Sequence, residues 1–259
     1  MTKKIIFFDI DGTLYDHDKK LPASTKKALL QLQEKGHEVA IATGRAPFMF
    51  EDLLEELGIE TFVSYNGQYV VFKGEPIYKN ALDAEALLRL TDVAAEREHP
   101  IVYMDHEDMK TNTLDHEHIL AGIQSLKISH FPAHDPAFHE GRELYQSLLF
   151  CQDPEDKEYE KQFPEFDFIR WHPFAVDIVP AGGSKARGIQ KVIDRLNIAP
   201  ENIYAFGDGL NDVEMLKTVA NSVAMGDGRD EAKKAAKHVT TNVTDDGILN
   251  GLKMVGLLD

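Results

Sequence analysis

Ile5-Ile6-Phe7-Phe8-Asp9-Ile10-Asp11-Gly12-Thr13 is the stretch on which the fold turns: four apolar residues run into two carboxylates and a glycine. A short apolar run closed by turn residues reads as a strand buried on both faces, the pattern of a parallel sheet. A carboxylate at the C-terminal end of such a strand sits where open α/β sheets bind ligands. Residues i and i+2 of a strand point to one side about 7 Å apart, so Asp9 and Asp11 can bracket one reacting group. Gly12 permits the sharp exit that the turn needs. Taken alone, Asp-Gly-Thr reads equally well as a turn with incidental acids.

Outward from this stretch, apolar runs alternate with helical patterns at both ends of the chain. A helix is expected over residues 21–36, with Ser24 or Thr25 as its N-cap and Gly36 as its stop. Strands are expected at 39–42 and 62–64, with a helix over 48–57 between them. The same grammar returns with helices over 185–196, 213–218, 230–236 and 248–257 and strands at 203–206 and 222–224. This alternation implies a doubly wound parallel sheet covered on both faces. The middle differs: residues 69–72 and 76–78 flank Lys73-Gly74-Glu75 as a hairpin, and 166–170 and 174–179 flank His172-Pro173 as another. The expected organisation is therefore an α/β, Rossmann-like core, residues 1–81 and 182–259, interrupted by an α+β domain over 82–181.

Gly207-Asp208-Gly209-Leu210-Asn211-Asp212 repeats the first pattern: carboxylates after a strand, glycine for the turn, a helix behind. Acids converging at adjacent strand ends repel one another, and Mg²⁺, a hard cation taking oxygen ligands, relieves this. Taken alone, Asp212 also reads as a first-turn acid favoured by the helix dipole, a reading that weakens once both motifs are considered together. Thr43-Gly44-Arg45 offers a hydroxyl and backbone N–H groups at a helix start, a ready anion site. Lys185 opens a helix, where a cation opposes the dipole; neutralising a phosphate and the acid cluster would explain it.

Composition bounds the function. The 28 Lys+Arg against 44 Asp+Glu leave a net charge of −16, which argues against a nucleic-acid partner, because that affinity comes from cations neutralising phosphates. An apolar fraction of 43% excludes wholesale disorder. A lone Cys151 excludes an internal disulfide and suits a reducing cytoplasm. The apolar run near the N-terminus ends at Asp9, short of the roughly 7–15 residues of a signal-peptide core. No window has the ~18 apolar residues of a membrane span.

Together, Asp9-x-Asp11-Gly-Thr, Thr43-Gly-Arg, Lys185 and Gly207-Asp208-Gly-x-Asn211-Asp212 resemble the four motifs of the haloacid dehalogenase-like (HAD) phosphohydrolases. Their order and spacing, with Asn66-Gly67, Val223-Ala224-Met225-Gly226 and Asp246-Gly247, resemble the Cof-type branch, subfamily IIB, whose C2-type α+β cap lies between the second and third motifs. The resemblance implies a phosphatase for small phosphorylated metabolites, sugar phosphates or phosphorylated cofactors. Asp9 would be the nucleophile, forming an aspartyl-phosphate, and Asp11 the general acid and then base. Mg²⁺ would be held by Asp9, the Asp11 carbonyl and Asp208, with Asp212 supporting it indirectly. Thr43, Gly44, Lys185, Asn211 and the Ile10 N–H would hold the phosphoryl oxygens.

Specificity candidates are Arg45, Asn66, Gly67 and the hairpin-tip residues Arg170, Trp171 and His172; Trp171 could equally pack inside the cap, and Arg45 could pair with a core acid. Gly226-Asp227-Gly228 mimics the fourth motif without its Asn-Asp, so Asp227 is expected to cap the next helix. Eight of the eleven histidines lie within residues 82–181. Their spacing forms no clean zinc pattern, and solvated surface histidines are expected. A monomer or homodimer in the cytoplasm is expected. The competing readings are a phosphoryl-transferring mutase, whose usual helical cap does not fit between Asp11 and Thr43, and a non-enzymatic phospho-acceptor or ligand-binding module.

Overall fold

The computed structural model describes residues 2–128 and 130–259. In chain order, the first run of elements is β1 (Ile5–Phe8), α1 (Ala23–Glu34), β2 (Glu38–Ala42), α2 (Glu51–Leu57), β3 (Phe62–Ser64), β4 (Tyr69–Phe72) and β5 (Glu75–Lys79). The middle holds α3 (Ala84–Glu96), β6 (Ile101–Met104), β7 (Met109–Thr111), α4 (Glu117–Ser125), β8 (Ala133–His134), β9 (Gln146–Leu149), α5 (Asp156–Gln162), β10 (Phe166–His172) and β11 (Ala175–Pro180). The chain closes with α6 (Lys185–Leu196), β12 (Ile203–Gly207), α7 (Val213–Thr218), β13 (Asn221–Ala224), α8 (Asp230–Ala235), β14 (His238–Val239) and α9 (Gly247–Met254). Two compact units result: one of residues 1–45, 51–78 and 184–259, the other of residues 46–50 and 79–183.

The first unit is an α/β fold on an eight-stranded sheet of order β14-β13-β12-β1-β2-β3-β4-β5. The strands from β14 to β3 pair in parallel, and β4 returns antiparallel to β3. All four residues of β1 are buried, as a strand covered on both faces requires. Ile5 and Phe7 share a core with Ala40, Val63, Ile189, Val192, Ala205 and Met215. The chain leaves β1 towards β2 on one side and returns as β12 on the other, so the strand order reverses at β1. A crevice for a ligand opens at such a reversal, beyond the carboxyl ends of the strands. Phe8 lies level with Phe206 and Ile41 in the sheet, so the residues following β1, β12 and β2 emerge together.

The second unit carries a six-stranded sheet of order β10-β11-β9-β6-β7-β8, antiparallel except between β7 and β8. One face packs against α3 and α5 through Leu87, Leu90, Tyr103, Leu149, Tyr159 and Ile178. Among the described residues, no helix is long and apolar enough to cross a membrane.

Three local expectations need correction. The α1 N-cap is Pro22, not Ser24 or Thr25; both lie inside the first turn, where Thr25 is buried with Ala28, Leu29 and Leu32 on the apolar face. The hairpin between β4 and β5 turns on Lys73 and Gly74 alone, at φ +51° and +78°, and Glu75 already belongs to β5. Two residues at positive φ match the strand twist better than a three-residue loop. Asp227 does not cap α8, whose N-cap is Arg229; its Oδ1 instead accepts from the Val243 N–H at 3.2 Å.

Candidate active site

Asp9 continues the β1 ladder by donating its N–H to the Phe206 carbonyl at 3.0 Å, which aims its side chain out of the sheet end. Lys185, at the first position of α6, is 0% exposed and bridges Asp9 Oδ1 at 2.5 Å and Asp212 Oδ1 at 2.7 Å. That partnership explains a lysine at a helix N-terminus: two buried carboxylates outweigh the unfavourable dipole and hold its pKa up against desolvation. Asp212 Oδ2 accepts from the N–H groups of Asp208 at 2.9 Å and Gly209 at 2.8 Å, so one oxygen shapes the turn while the other holds Lys185.

Asp208 is positioned by Thr13, whose hydroxyl donates to Oδ1 at 2.8 Å. A Cβ at Gly12 would fall 2.4 Å from Asp208 Oδ2, and Gly12 sits at φ +83°, so the motif glycine serves both a turn and a close approach. The loop through Gly228 packs against the Asp208 backbone, and the Arg229 N–H donates to the Asp208 carbonyl at 2.8 Å.

The ligand atoms of Asp9, Asp208 and Asp212 lie within 4.8 Å of one another. Burial is the main force raising the Asp9 pKa well above its ordinary value; Lys185 opposes it, while Asp212 and Asp208 add to it. Burial and then Asp212 push Asp208 up to about 6. Three crowded carboxylates against one ammonium could hold a cation, and the donors are all oxygens, the choice of a hard ion.

Asp11 occupies a different environment. Arg45 grips it with Nε at 2.7 Å from Oδ2 and Nη2 at 2.6 Å from Oδ1, and Lys19 Nζ lies 2.5 Å from Oδ1. Burial pushes the Asp11 pKa up, but Arg45 and Lys19 outweigh it and the net displacement is downward. The surroundings thus move two carboxylates two residues apart in opposite directions, Asp9 up and Asp11 down.

Thr43 follows β2, almost fully buried, and its Oγ1 accepts from the Arg45 N–H at 3.1 Å. Asn66 Oδ1 accepts from Asn211 Nδ2 at 3.1 Å, and a Cβ on Gly44 would lie 3.0 Å from Asn66, so Gly44, Asn66 and Asn211 form one cluster. Gly67 seats the start of α6: a Cβ there would lie 2.1 Å from the Ser184 carbonyl oxygen, and φ is +98°. We expect Gly67→Ala to cost about 3 kcal/mol, because backbone must move and the left-handed conformation penalises a side chain. Gly74→Ala, at φ +78° with nothing near its Cβ, isolates the conformational part and should cost about 1 kcal/mol. Urea denaturation of both variants checks this; equal losses would remove the packing role of Gly67.

Ile10 is buried in the turn, its carbonyl accepting from the Tyr15 N–H at 2.7 Å. Arg170, Trp171 and His172 belong to the second unit. Arg170 spends its guanidinium on Asp156 at 2.6 Å and on the carbonyls of Cys151 at 3.1 Å and Pro173 at 3.0 Å. A Cβ on Gly122 of α4 would lie 3.5 Å from the Trp171 ring, and His172 Nδ1 accepts from the Phe174 N–H at 3.3 Å. Sequence reasoning missed Lys19, which no periodicity marks, and left Thr13 without a role beyond the motif.

The model of the haloacid dehalogenase-like hydrolase family matches residues 6–252. This chain is a haloacid dehalogenase-like hydrolase. It is 53% identical over 258 residues, covering all of both chains, to a Bacillus subtilis (strain 168) protein named "Putative phosphatase YkrA". Among solved structures, the hydrolase superposes with TM-score 0.95 at 50% identity on a hypothetical protein of Geobacillus kaustophilus HTA426, over 99% of this chain and 100% of that one. It superposes with TM-score 0.86 at 30% identity on the HAD subclass IIB sugar phosphatase BT4131, over 99% and 100%. These likenesses place the hydrolase among the phosphatases of its superfamily.

Proposed function

We propose that this hydrolase is a Mg²⁺-dependent phosphatase for small phosphate monoesters, sugar phosphates or phosphorylated cofactors, working through an aspartyl-phosphate on Asp9. The observation that carries this reading is the convergence of Asp9, Asp208 and Asp212 around Lys185 beyond the end of β1, an all-oxygen cluster whose crowding a hard cation would relieve. A mutase would use the same carboxylates, but its usual helical cap does not fit between Asp11 and Thr43; a silent binding module has no need of a catalytic pair. The second unit would serve as the cap that selects the substrate.

Asp9 would attack phosphorus as the bond to the ester oxygen breaks, and Asp11 would deliver its proton to the departing alkoxide. Water would then attack the phosphoryl group while Asp11 takes its proton, releasing inorganic phosphate and restoring Asp9. Splitting one displacement into two lowers each barrier. Lys185, Thr43, Asn211 and the N–H groups of Ile10 and Gly44 would hold the phosphoryl oxygens. Asp9, Asp208 and the Asp11 carbonyl would hold Mg²⁺, with Asp212 fixing the turn and Lys185. When bound, the ion screens repulsion between the Asp9 carboxylate and the anionic phosphate.

Hydrolysis of a generic phosphate ester tests this. Activity should require Mg²⁺ and disappear with a chelator, and full activity in the chelator would sink the metal-dependent reading. Mg²⁺ affinity should weaken roughly tenfold for each pH step below about 6, where protons compete for Asp208. In metal-free protein the raised Asp208 pKa means that the folded state binds the extra proton; its stabilising contribution is present at acid pH and lost as pH rises towards 6.

Asp11 must hold a proton to act as an acid, so its cationic neighbours limit the alkaline side of the profile. Lys19→Met removes one cation and should raise the Asp11 pKa, moving the alkaline limb of kcat to higher pH. An unmoved limb would show that Lys19 does not tune Asp11.

A further inference from the structure

Within the second unit, three different ligand types converge between the start of β6, the end of β9 and the start of α5. One ligand atom each from His99, Cys151 and Glu155 lies within 4.8 Å of the others. His99 Nε2 faces Glu155 Oε2 at 3.4 Å. Two ligands at about 2.0–2.1 Å from a tetrahedral zinc ion lie roughly 3.3 Å apart, so this pair already has ligand spacing. The Cys151 side chain is a buried free thiol.

The outer partners match as well. His99 Nδ1 lies 2.8 Å from the buried Tyr159 hydroxyl, which orients the ring and leaves Nε2 turned towards Glu155. Metal-bound histidines are held in this way through their second nitrogen. Glu155 Oε2 accepts from the Gln152 N–H at 2.7 Å, which fixes the carboxylate. Arg170 Nη2 lies 3.7 Å from Cys151 Sγ, where it can donate to a thiolate. Its charge is met by the buried Asp156 at 2.6 Å, so the guanidinium is not an unbalanced cation beside the cluster. The His99 side chain is 14% exposed and that of Glu155 46%, which leaves an entry path and a solvent-side fourth position.

We propose that His99, Cys151 and Glu155 form a second metal site in this protein, a soft-metal site for Zn²⁺ with three protein ligands and water as the fourth. A thiolate and an imidazole select zinc over magnesium, so the site is chemically separate from the all-oxygen cluster of Asp9, Asp208 and Asp212. Binding releases the thiol proton to solvent as the metal–sulfur bond forms. The ion ties together three segments of the second unit that are far apart in sequence, and bound metal stabilises the folded state by mass action.

The test is a titration of the full-length protein with Co²⁺ in saturating Mg²⁺, followed by displacement with Zn²⁺. The expected result is one equivalent of Co²⁺ showing a thiolate-to-cobalt charge-transfer band that Zn²⁺ removes. Cys151→Ser should abolish the band. His99→Gln should weaken Co²⁺ binding at least about tenfold, and Tyr159→Phe by about tenfold, the usual effect of losing an outer partner. Asp9→Asn should keep the band, which separates this site from the phosphatase reading. Absence of the band in the unaltered protein overturns the proposal, as does a band of undiminished affinity in His99→Gln. Should Cys151→Ser fail to fold, these two measurements still decide.

Discussion

Asp9→Asn should lower hydrolysis of a generic phosphate ester by at least about 10⁴-fold, the scale of loss when a covalent nucleophile is removed. Asparagine preserves the shape of the side chain, but an amide oxygen is not a competent nucleophile towards phosphorus. Stability should move the other way. Burial and the nearby Asp212 and Asp208 hold the Asp9 pKa high, so its charged form is costly in the metal-free protein. Removing one negative charge from that cluster should leave the variant at least as resistant to heat when Mg²⁺ is absent. Initial rates with Mg²⁺, beside melting curves with and without it, measure both effects. A variant that retained full activity would end the nucleophile assignment, and one that simply unfolded would show that Asp9 is mainly structural.

Lys185→Met should be the most destabilising single change in the site. The side chain is fully buried, and its ammonium is the shared partner of Asp9 and Asp212. Breaking a buried pair by removing one partner leaves uncompensated charge and costs about 3–5 kcal/mol. The loss should depend on pH, with a sign that follows from the carboxylates. Without Lys185, the pKa of Asp9 rises further, so the folded state holds a proton that the unfolded chain has released. Stability is then retained at acid pH and lost as pH rises through the folded-state pKa. Lysine itself titrates far above this range, its folded pKa being raised further, and adds no slope between pH 5 and 8. Urea denaturation at about pH 5 and pH 8 should therefore show the larger deficit at pH 8. Combining Lys185→Met with Asp9→Asn should recover part of it, since contacting residues couple. A deficit equal at both pH values and unchanged in the double variant would mean that lost packing, not charge, is what Lys185 contributes.

The parts of this protein legible in the chain are those governed by short-range physics. Ile5–Phe8 reads as a buried strand because an apolar run between turn residues has few other uses, and the strands at Glu38–Ala42 and Ile203–Gly207 follow by the same logic. Asp9, Asp11, Asp208 and Asp212 stand out because carboxylates directly after such strands have nowhere to go but the sheet end. Cap and turn details were less legible: Thr25 could cap a helix or bury its methyl, and packing against Leu29 and Leu32 settled the matter.

The grouping of residues depended on the order of the strands. β1 lies between β12 and β2, and this placement brings Asp9, Asp208 and Thr43 to one edge although they are far apart in sequence. The Lys19 grip on Asp11, the Thr13 bond to Asp208 and the approach of Gly228 arise from loop paths that no periodicity encodes. His99, Cys151 and Glu155 are the clearest instance: the linear spacing of the histidines shows no metal pattern, yet β6 and β9 pair and bring their flanking residues together. Hydrophobic period and turn chemistry act over a few residues and can be read along the chain. Convergence of charge and ligand atoms is a property of which strands become neighbours, and it exists only once the sheets have formed.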